Sequence, residues 1–337
     1  MNAAHLQAFA TSAAVCIAVV LAFMLNLDDP WWAAISAFIV SGPEQKSALI
    51  KGFHRIAGTL AACILGYGVA INIEGDVFYQ TLVIVCAFAA AVYTRFTTEN
   101  AYAWAMFWII LLIVVLVSAN EPSETATFAY LRSIEIVTGV SAAAAMSLAI
   151  EPWRPKERGH TVQSAGAPAD KTAVAHVATF GAFSALVILF LWQLFDLPSI
   201  VQVFISLFVA MVPTIAMMRQ QIELRLAGCL WGGVAGLAVA GMGIEILWLW
   251  LGFLFAGLYA AALVHHGGSR NAYAGTQFGI AFIIAMVTEN GPPDAILPVL
   301  ERAIGITLAY IVLAVLIVAV APWVRGHRNT GEAEKTA

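Results

Sequence analysis

Charge is scarce in this chain: Asp, Glu, Lys and Arg make up 11% of its 337 residues, against roughly a quarter in ordinary soluble domains. Hydrophobic residues make up 61%, more than a water-soluble core of this length can hide, so a soluble globular fold is excluded. Cysteine is also rare. Cys16, Cys63, Cys86 and Cys229 fall in apolar runs without a C-x2-C spacing, which reads as buried packing rather than disulfides or metal ligation. No G-x4-G-K-[ST] loop is present, so nucleotide binding of that kind is excluded. Neither an H-E-x-x-H pair nor a nucleophile elbow occurs, and no catalytic residue, metal or cofactor is assigned. The net charge of −4 describes short loops and gives no reason to expect a nucleic acid partner.

What the chain has instead is apolar runs of membrane-crossing length. In the first half they fall at 6–26, 55–73, 78–95, 101–119 and 130–150, with a shorter one at 31–42. The second half supplies 174–195, 199–214, 224–243, 246–264, 272–288 and 301–321. Many approach the ~20 residues that a helix needs to cross the hydrocarbon layer. A strand would need a closed barrel and an alternating pattern, and the sequence has neither. An all-α polytopic membrane protein of about twelve transmembrane helices is the expected fold.

The two halves repeat one another at an offset of about 170 residues. Arg55-Ile56-Ala57-Gly58 returns as Arg225-Leu226-Ala227-Gly228, and Asn100-Ala101-Tyr102-Ala103 as Asn271-Ala272-Tyr273-Ala274. Arg132 and Ile134 return as Arg302 and Ile304, Ser36 as Ser206, and each half closes on Pro-Trp. Six helices per half place both repeats in the same orientation. Such parallel repeats are a ground plan of transporters whose binding site lies between the halves.

Basic residues sort by side. Fourteen of the sixteen, among them Lys46, Arg95, Arg154, Arg219 and Arg270, fall on one face of this topology. The opposite loops carry Asp28, Asp29, Glu74, Asp76, Glu121, Glu124, Asp196, Glu245, Glu289 and Asp294, and no lysine. The positive-inside rule then makes both termini cytoplasmic. Expected boundaries are a first repeat at 1–153, a polar cytoplasmic linker at 154–172, a second repeat at 173–324 and a cytoplasmic tail at 325–337. The N-terminal run lacks a basic leader region and has a second-half counterpart, so it reads as a span and not a cleaved signal.

Two prolines punctuate the pattern. Pro43 and Pro213 each end the short second span of a half, ahead of a more polar segment. A proline removes a backbone donor, and a helix broken at membrane depth is tolerated where it lines a cavity; a plain interfacial turn is the alternative. Arg55 and Arg225 follow these breaks, either as anchors snorkelling to headgroups or as cations drawing an anion inward.

Arg132 and Arg302 are the two basic residues that break the sidedness, at equivalent positions near the outer end of the sixth helix of each half. An arginine at mid-bilayer costs roughly 2.5–3.5 kcal/mol, less near an interface. Both then bind a carboxylate in a polar interior, or they snorkel outward or pair with Glu124 or Glu301. Glu135 shares a helical face with Arg132 and has Gly305 as its counterpart. It is either a structural ion-pair partner or a proton-coupling carboxylate.

Aromatic and small residues fill out the pattern. Tyr102 and Tyr273 begin the fifth helix of each half; Trp104, Phe107 and Trp108 follow the first, Gln277 and Phe278 the second. They suit core packing, or an apolar pocket with polar anchors for an aromatic acid. Gly228, Gly232 and Gly236, like Gly58, Ala62 and Gly66, form a small-residue ridge for close helix packing. His265 and His266 read as an interfacial anchor ahead of a metal pair.

The Pro30-Trp31-Trp32 start, Pro43, the Arg55-x2-Gly58-Thr59 ridge and the closing stretch from Arg132 to Pro152-Trp153 resemble the fusaric acid resistance family. That family includes the aromatic acid exporters and is distantly similar to plant aluminium-activated malate transporters. The resemblance implies export of aromatic carboxylic acids across a bacterial inner membrane, often with a periplasmic adaptor protein. Larger members carry a sizeable cytoplasmic domain where this chain has only the linker. Three functions are carried forward: a secondary exporter of organic acids, a passive organic-anion channel, and a non-transporting membrane scaffold. Membrane lipid and further copies of the chain are the other partners considered.

Overall fold

The computed structural model describes residues 3–42, 44–154, 170–196, 199–288 and 297–335, and the chain there is almost wholly helical. Twelve α-helices run in order: α1 (Ala3–Met24), α2 (Pro30–Val40), α3 (Gln45–Asn72), α4 (Val77–Thr97), α5 (Ala101–Asn120), α6 (Thr125–Ala149), α7 (Lys171–Phe195), α8 (Ile200–Ala210), α9 (Ile215–Ala240), α10 (Leu247–His266), α11 (Ala272–Met286) and α12 (Leu297–Lys335). Pro30 opens α2, where its missing N–H costs nothing. Asp76 caps α4 by accepting from the N–H groups of Phe78 and Tyr79 at 3.1 Å each. Asp170 caps α7 through the N–H of Thr172 at 3.0 Å. Of the expected linker, residues 155–169 lie outside the described residues, and Lys171 and Thr172 already belong to α7. The polar tail after Arg325 continues α12 as helix.

Nine of the described helices are long and apolar enough to cross a membrane, not twelve. The other three, α2, α8 and α11, have 11, 11 and 15 residues. At 1.5 Å per residue, eleven residues span about 16 Å, roughly half the hydrocarbon core, so these helices cannot cross alone. Their surroundings explain how they persist. None of the three carries an exposed residue, whereas each long helix does. The short helices are therefore wrapped by protein along their whole length.

Packing joins the two sides of the linker. α3 packs on α5 and α9 on α11; α4 meets α7 and α1 meets α10; α2 lies against α6, α8 against α12. One apolar core combines residues of α3, α4 and α5 with residues of α7, α8 and α12, centred on Phe88, Leu116 and Leu207. The other combines α1, α2 and α6 with α10 and α11, around Phe38, Ile136 and Trp250. The expected ridge of small residues makes its contacts here. A methyl at Gly58 would stand 2.6 Å from the carbonyl oxygen of Ala103, and one at Gly228 would strike that of Ala274. Large apolar side chains such as Ile64, Phe78, Trp231 and Trp248 point outward, as a lipid-facing surface requires. Only Cys63 of the four cysteines is buried; Cys86 is exposed on that apolar surface, so the expectation that all four pack internally fails there.

Candidate functional site

α6 carries Arg132 and Glu135 three residues apart, hence on one face. The Arg132 Nη1 donates to Glu135 Oε2 at 2.7 Å, and its Nη2 donates to Asp29 Oδ2 at 3.0 Å. Glu135 Oε1 in turn accepts the backbone N–H of Asp29 at 3.0 Å, which fastens α6 to the start of α2. The guanidinium carbon lies 4.2 Å from the ring centre of Trp32 and 4.5 Å from that of Phe128. Arg132 is 1% exposed and Glu135 0%. This is an ion-pair lock and not an open cation or a snorkelling anchor. Of the partners expected from sequence, Glu135 is used and Glu124 is not; Asp29 joins because α2 and α6 pack together.

The same lock lies beside a cavity of about 320 Å³ lined among others by Asp28, Asp29, Glu121, Glu124, Arg132 and Glu135. Five carboxylates surround one guanidinium, itself already paired. The local field therefore repels an organic anion, which is contrary to the expected carboxylate site at Arg132.

Arg55, on α3, is 4% exposed. Its Nε donates to Ser36 Oγ at 3.1 Å, and its Nη1 reaches Tyr102 Oη at 3.1 Å and Met106 Sδ at 3.2 Å. Arg225, on α9, is 2% exposed and uses Nη2 on Ser206 Oγ at 3.3 Å and Nη1 on Gln277 Oε1 at 3.0 Å. Neither snorkels. Arg302, on α12, donates from Nη1 to Gln202 Oε1 at 2.9 Å and sits with Nη2 4.0 Å from Cys229 Sγ. That sulfur is also 3.6 Å from Gln277 Oε1, so Arg225, Gln277, Cys229 and Arg302 form one connected cluster. Tyr273 places its hydroxyl beside the Arg225 guanidinium. Among the described residues, no carboxylate lies within ion-pair distance of Arg55, Arg225 or Arg302.

Other expected positions divide. Trp104 and Trp108 form an aromatic group with Phe107 on α5, and Trp104 is 41% exposed. They are not bonded to any of the buried arginines. Pro213 lies in the turn between α8 and α9, while Pro43 lies outside the described residues. Both helix breaks exist, at 41–44 and 211–214. Their freed carbonyls meet cations from the protein itself: Lys51 Nζ donates to Ile39 O at 2.6 Å and Arg95 Nη1 to Phe208 O at 3.2 Å. His265 and His266 are hydrogen-bonded to Thr276 at 2.7 Å and Thr11 at 2.9 Å, tying α10 to α11 and α1 instead of anchoring at an interface.

Residues 4–189 match the Fusaric acid resistance protein family. The chain belongs to this family. Arg55, Tyr102, Arg132 and Glu135 fall inside the stretch that matches the Fusaric acid resistance protein family, whereas Arg225, Gln277 and Arg302 fall beyond it. Among curated proteins, the chain is 33% identical over 150 residues to the p-hydroxybenzoic acid efflux pump subunit AaeB of Escherichia coli strain SE11. The same identity holds for AaeB of Shigella boydii serotype 18. Those alignments take in 41% of this chain and 23% of either relative, so the chain spans less than a quarter of their length. No solved structure matches.

Gln202 and Tyr310 are not singled out in the sequence, and Cys229 and Asp29 read there only as a packing residue and an outer-loop acid; each joins its cluster through a tertiary contact.

Proposed function

We propose that this member of the Fusaric acid resistance protein family is a secondary transporter exporting organic acids, aromatic carboxylates foremost, across a bacterial inner membrane. The proton gradient or membrane potential drives it. The halves act as parallel six-helix repeats with the linker and both termini in the cytoplasm, which requires each of the short helices α2, α8 and α11 to complete its crossing together with the non-helical chain next to it. A shared bond supports that arrangement: Arg55 donates to Ser36, and Arg225 to Ser206, across the same interval of sequence. So does the matched packing of α3 on α5 and α9 on α11.

The observation that carries the substrate class is a set of three arginines within apolar helices, Arg55 and Arg225 buried and Arg302 half-buried, without described acidic partners. At ~4 Å and an effective dielectric of 20, a carboxylate beside one guanidinium gains about 4 kcal/mol before desolvation. The relatives' name, a p-hydroxybenzoic acid efflux pump subunit, points to the same chemistry. It also makes an adaptor or other pump subunit the partner to seek. Glu135 is the carboxylate proposed to couple flux to protons, with Arg132 as its counter-charge.

Efflux of radiolabelled benzoate-type acids from cells lacking and expressing the chain tests this. Saturable efflux that depends on the chain supports the transporter. Conductance that does not saturate with substrate moves the assignment to a channel, and no flux in proteoliposomes removes transport altogether. Glu135→Gln with the full dependence on the proton gradient retained would exclude that residue as the coupling site.

A further inference from the structure

The two halves treat the same arginine in opposite ways. Arg132 is held by Asp29 and Glu135. At the sequence offset that relates Arg132 to Arg302, Asp29 corresponds to Ser199 and Glu135 to Gly305. Both carboxylates are gone from the second half. Trp32, which covers the Arg132 guanidinium, corresponds to Gln202, which accepts from Arg302. Space follows the same exchange, since a methyl at Gly305 would come 3.0 Å from the Gln202 side chain.

Donors collect where the anions are missing. The Nε atoms of Arg225 and Arg302 and the hydroxyl of Tyr310 are buried without a hydrogen-bond partner, and the Tyr273 oxygen stands against the Arg225 guanidinium, which leaves its own O–H to donate elsewhere. Tyr310 and Tyr273 lie within electrostatic range of Arg225, and the two arginines are linked through Gln277 and Cys229. Two adjacent buried guanidiniums repel one another and leave donors unmet, an arrangement that is costly until an anion with several acceptor lone pairs arrives. A carboxylate has two oxygens and about four acceptor sites, and guanidinium forks match its geometry.

Resting on the export reading above, we infer that the carboxylate of the transported acid is held by Arg225 and Arg302 of the second half, between α8, α9, α11 and α12. Tyr273 and Tyr310 donate to it. Arg132 takes no part in binding. The site is asymmetric although the scaffold repeats: one half carries the lock, the other the anion site.

Cys229 provides the readout, because it is half-exposed and touches both Arg302 and Gln277. In the full chain with Cys16, Cys63 and Cys86 changed to Ala, its modification by a small methanethiosulfonate reagent is timed with and without benzoate. Benzoate at about ten times its Kd slows the reaction about tenfold, and benzyl alcohol does not. Arg302→Gln and Arg225→Gln each raise the benzoate concentration needed by about 10- to 100-fold. Arg219→Gln, at an exposed residue paired with Glu223, leaves it unchanged. Gly305→Glu, whose Cβ meets the Gln202 Cβ at 3.0 Å, brings a carboxylate beside Arg302 and abolishes protection in protein that size exclusion shows to be folded. Equal protection by benzyl alcohol, or protection that survives all three substitutions at Arg225, Arg302 and Gly305, overturns the site. Export without protection removes the site and leaves the transporter standing; protection without export does the reverse.

Discussion

Truncating Glu135 exposes how much the Arg132 lock contributes to folding. Its two oxygens have separate tasks: Oε2 accepts from Arg132 at 2.7 Å and Oε1 from the N–H of Asp29 at 3.0 Å. The side chain is fully buried, while that of Asp29 is 39% exposed. Removing one partner of a buried pair costs about 3–5 kcal/mol when the charge left behind is uncompensated; Asp29 still holds Arg132, so Glu135→Ala lowers stability by about 3 kcal/mol, the low end of that range. Glu135→Gln keeps the volume but offers one oxygen for two donors, and losing one charge-assisted bond costs about 1.5–3 kcal/mol. Asp29→Asn, at a partly solvated and screened group, costs about 1 kcal/mol or less. Denaturant unfolding of the purified protein in detergent, followed by size exclusion, ranks the three. Combining Arg132→Ala with Glu135→Ala removes both charges together and is less damaging than the sum of the single changes. The reasoning collapses if Asp29→Asn matches Glu135→Ala, or if Glu135→Ala leaves the unfolding midpoint where it was.

Four further outcomes follow, three from local geometry and one from the proposed topology. Gly139→Ala places a methyl on the Ala33 carbonyl oxygen, 2.8 Å from its carbon, so α2 and α6 must part and stability falls by about 1–3 kcal/mol; melting in detergent measures it. Gly68→Ala, with nothing within 4 Å, gains about 0.5–1 kcal/mol in the same assay and serves as its control. Asp76→Ala removes both capping bonds of α4 and costs about 0.5–2 kcal/mol, read as faster amide exchange at Phe78 and Tyr79. A cysteine at Ser164 in the linker reacts with an impermeant thiol reagent in inside-out vesicles and not in intact cells; the opposite result inverts the proposed orientation.

Most helices were legible because apolar runs bounded by charge and turn residues determine them locally. Lengths misled where hydrophobicity continued past a helix end: 199–214 stays largely apolar, yet α8 closes at Ala210. The pairing of Arg132 with Glu135 was readable from a three-residue spacing. Asp29 was not, since it lies more than a hundred residues away and meets Arg132 only after α2 packs on α6. The contrast between the halves was written in the sequence at Gly305, but its meaning needed Gln202 and Cys229 in space.

The sheltering of α2, α8 and α11 separates two mechanical regimes. Helices that touch acyl chains must tilt or bend when the bilayer thins or thickens. The three short segments carry no exposed side chain, so membrane thickness reaches them mainly as pressure relayed by their neighbours. Gln202, Ser206 and Gln277 are carried on two of those insulated segments. The polar contacts of Arg225 and Arg302 are thereby decoupled from the composition of the surrounding lipid.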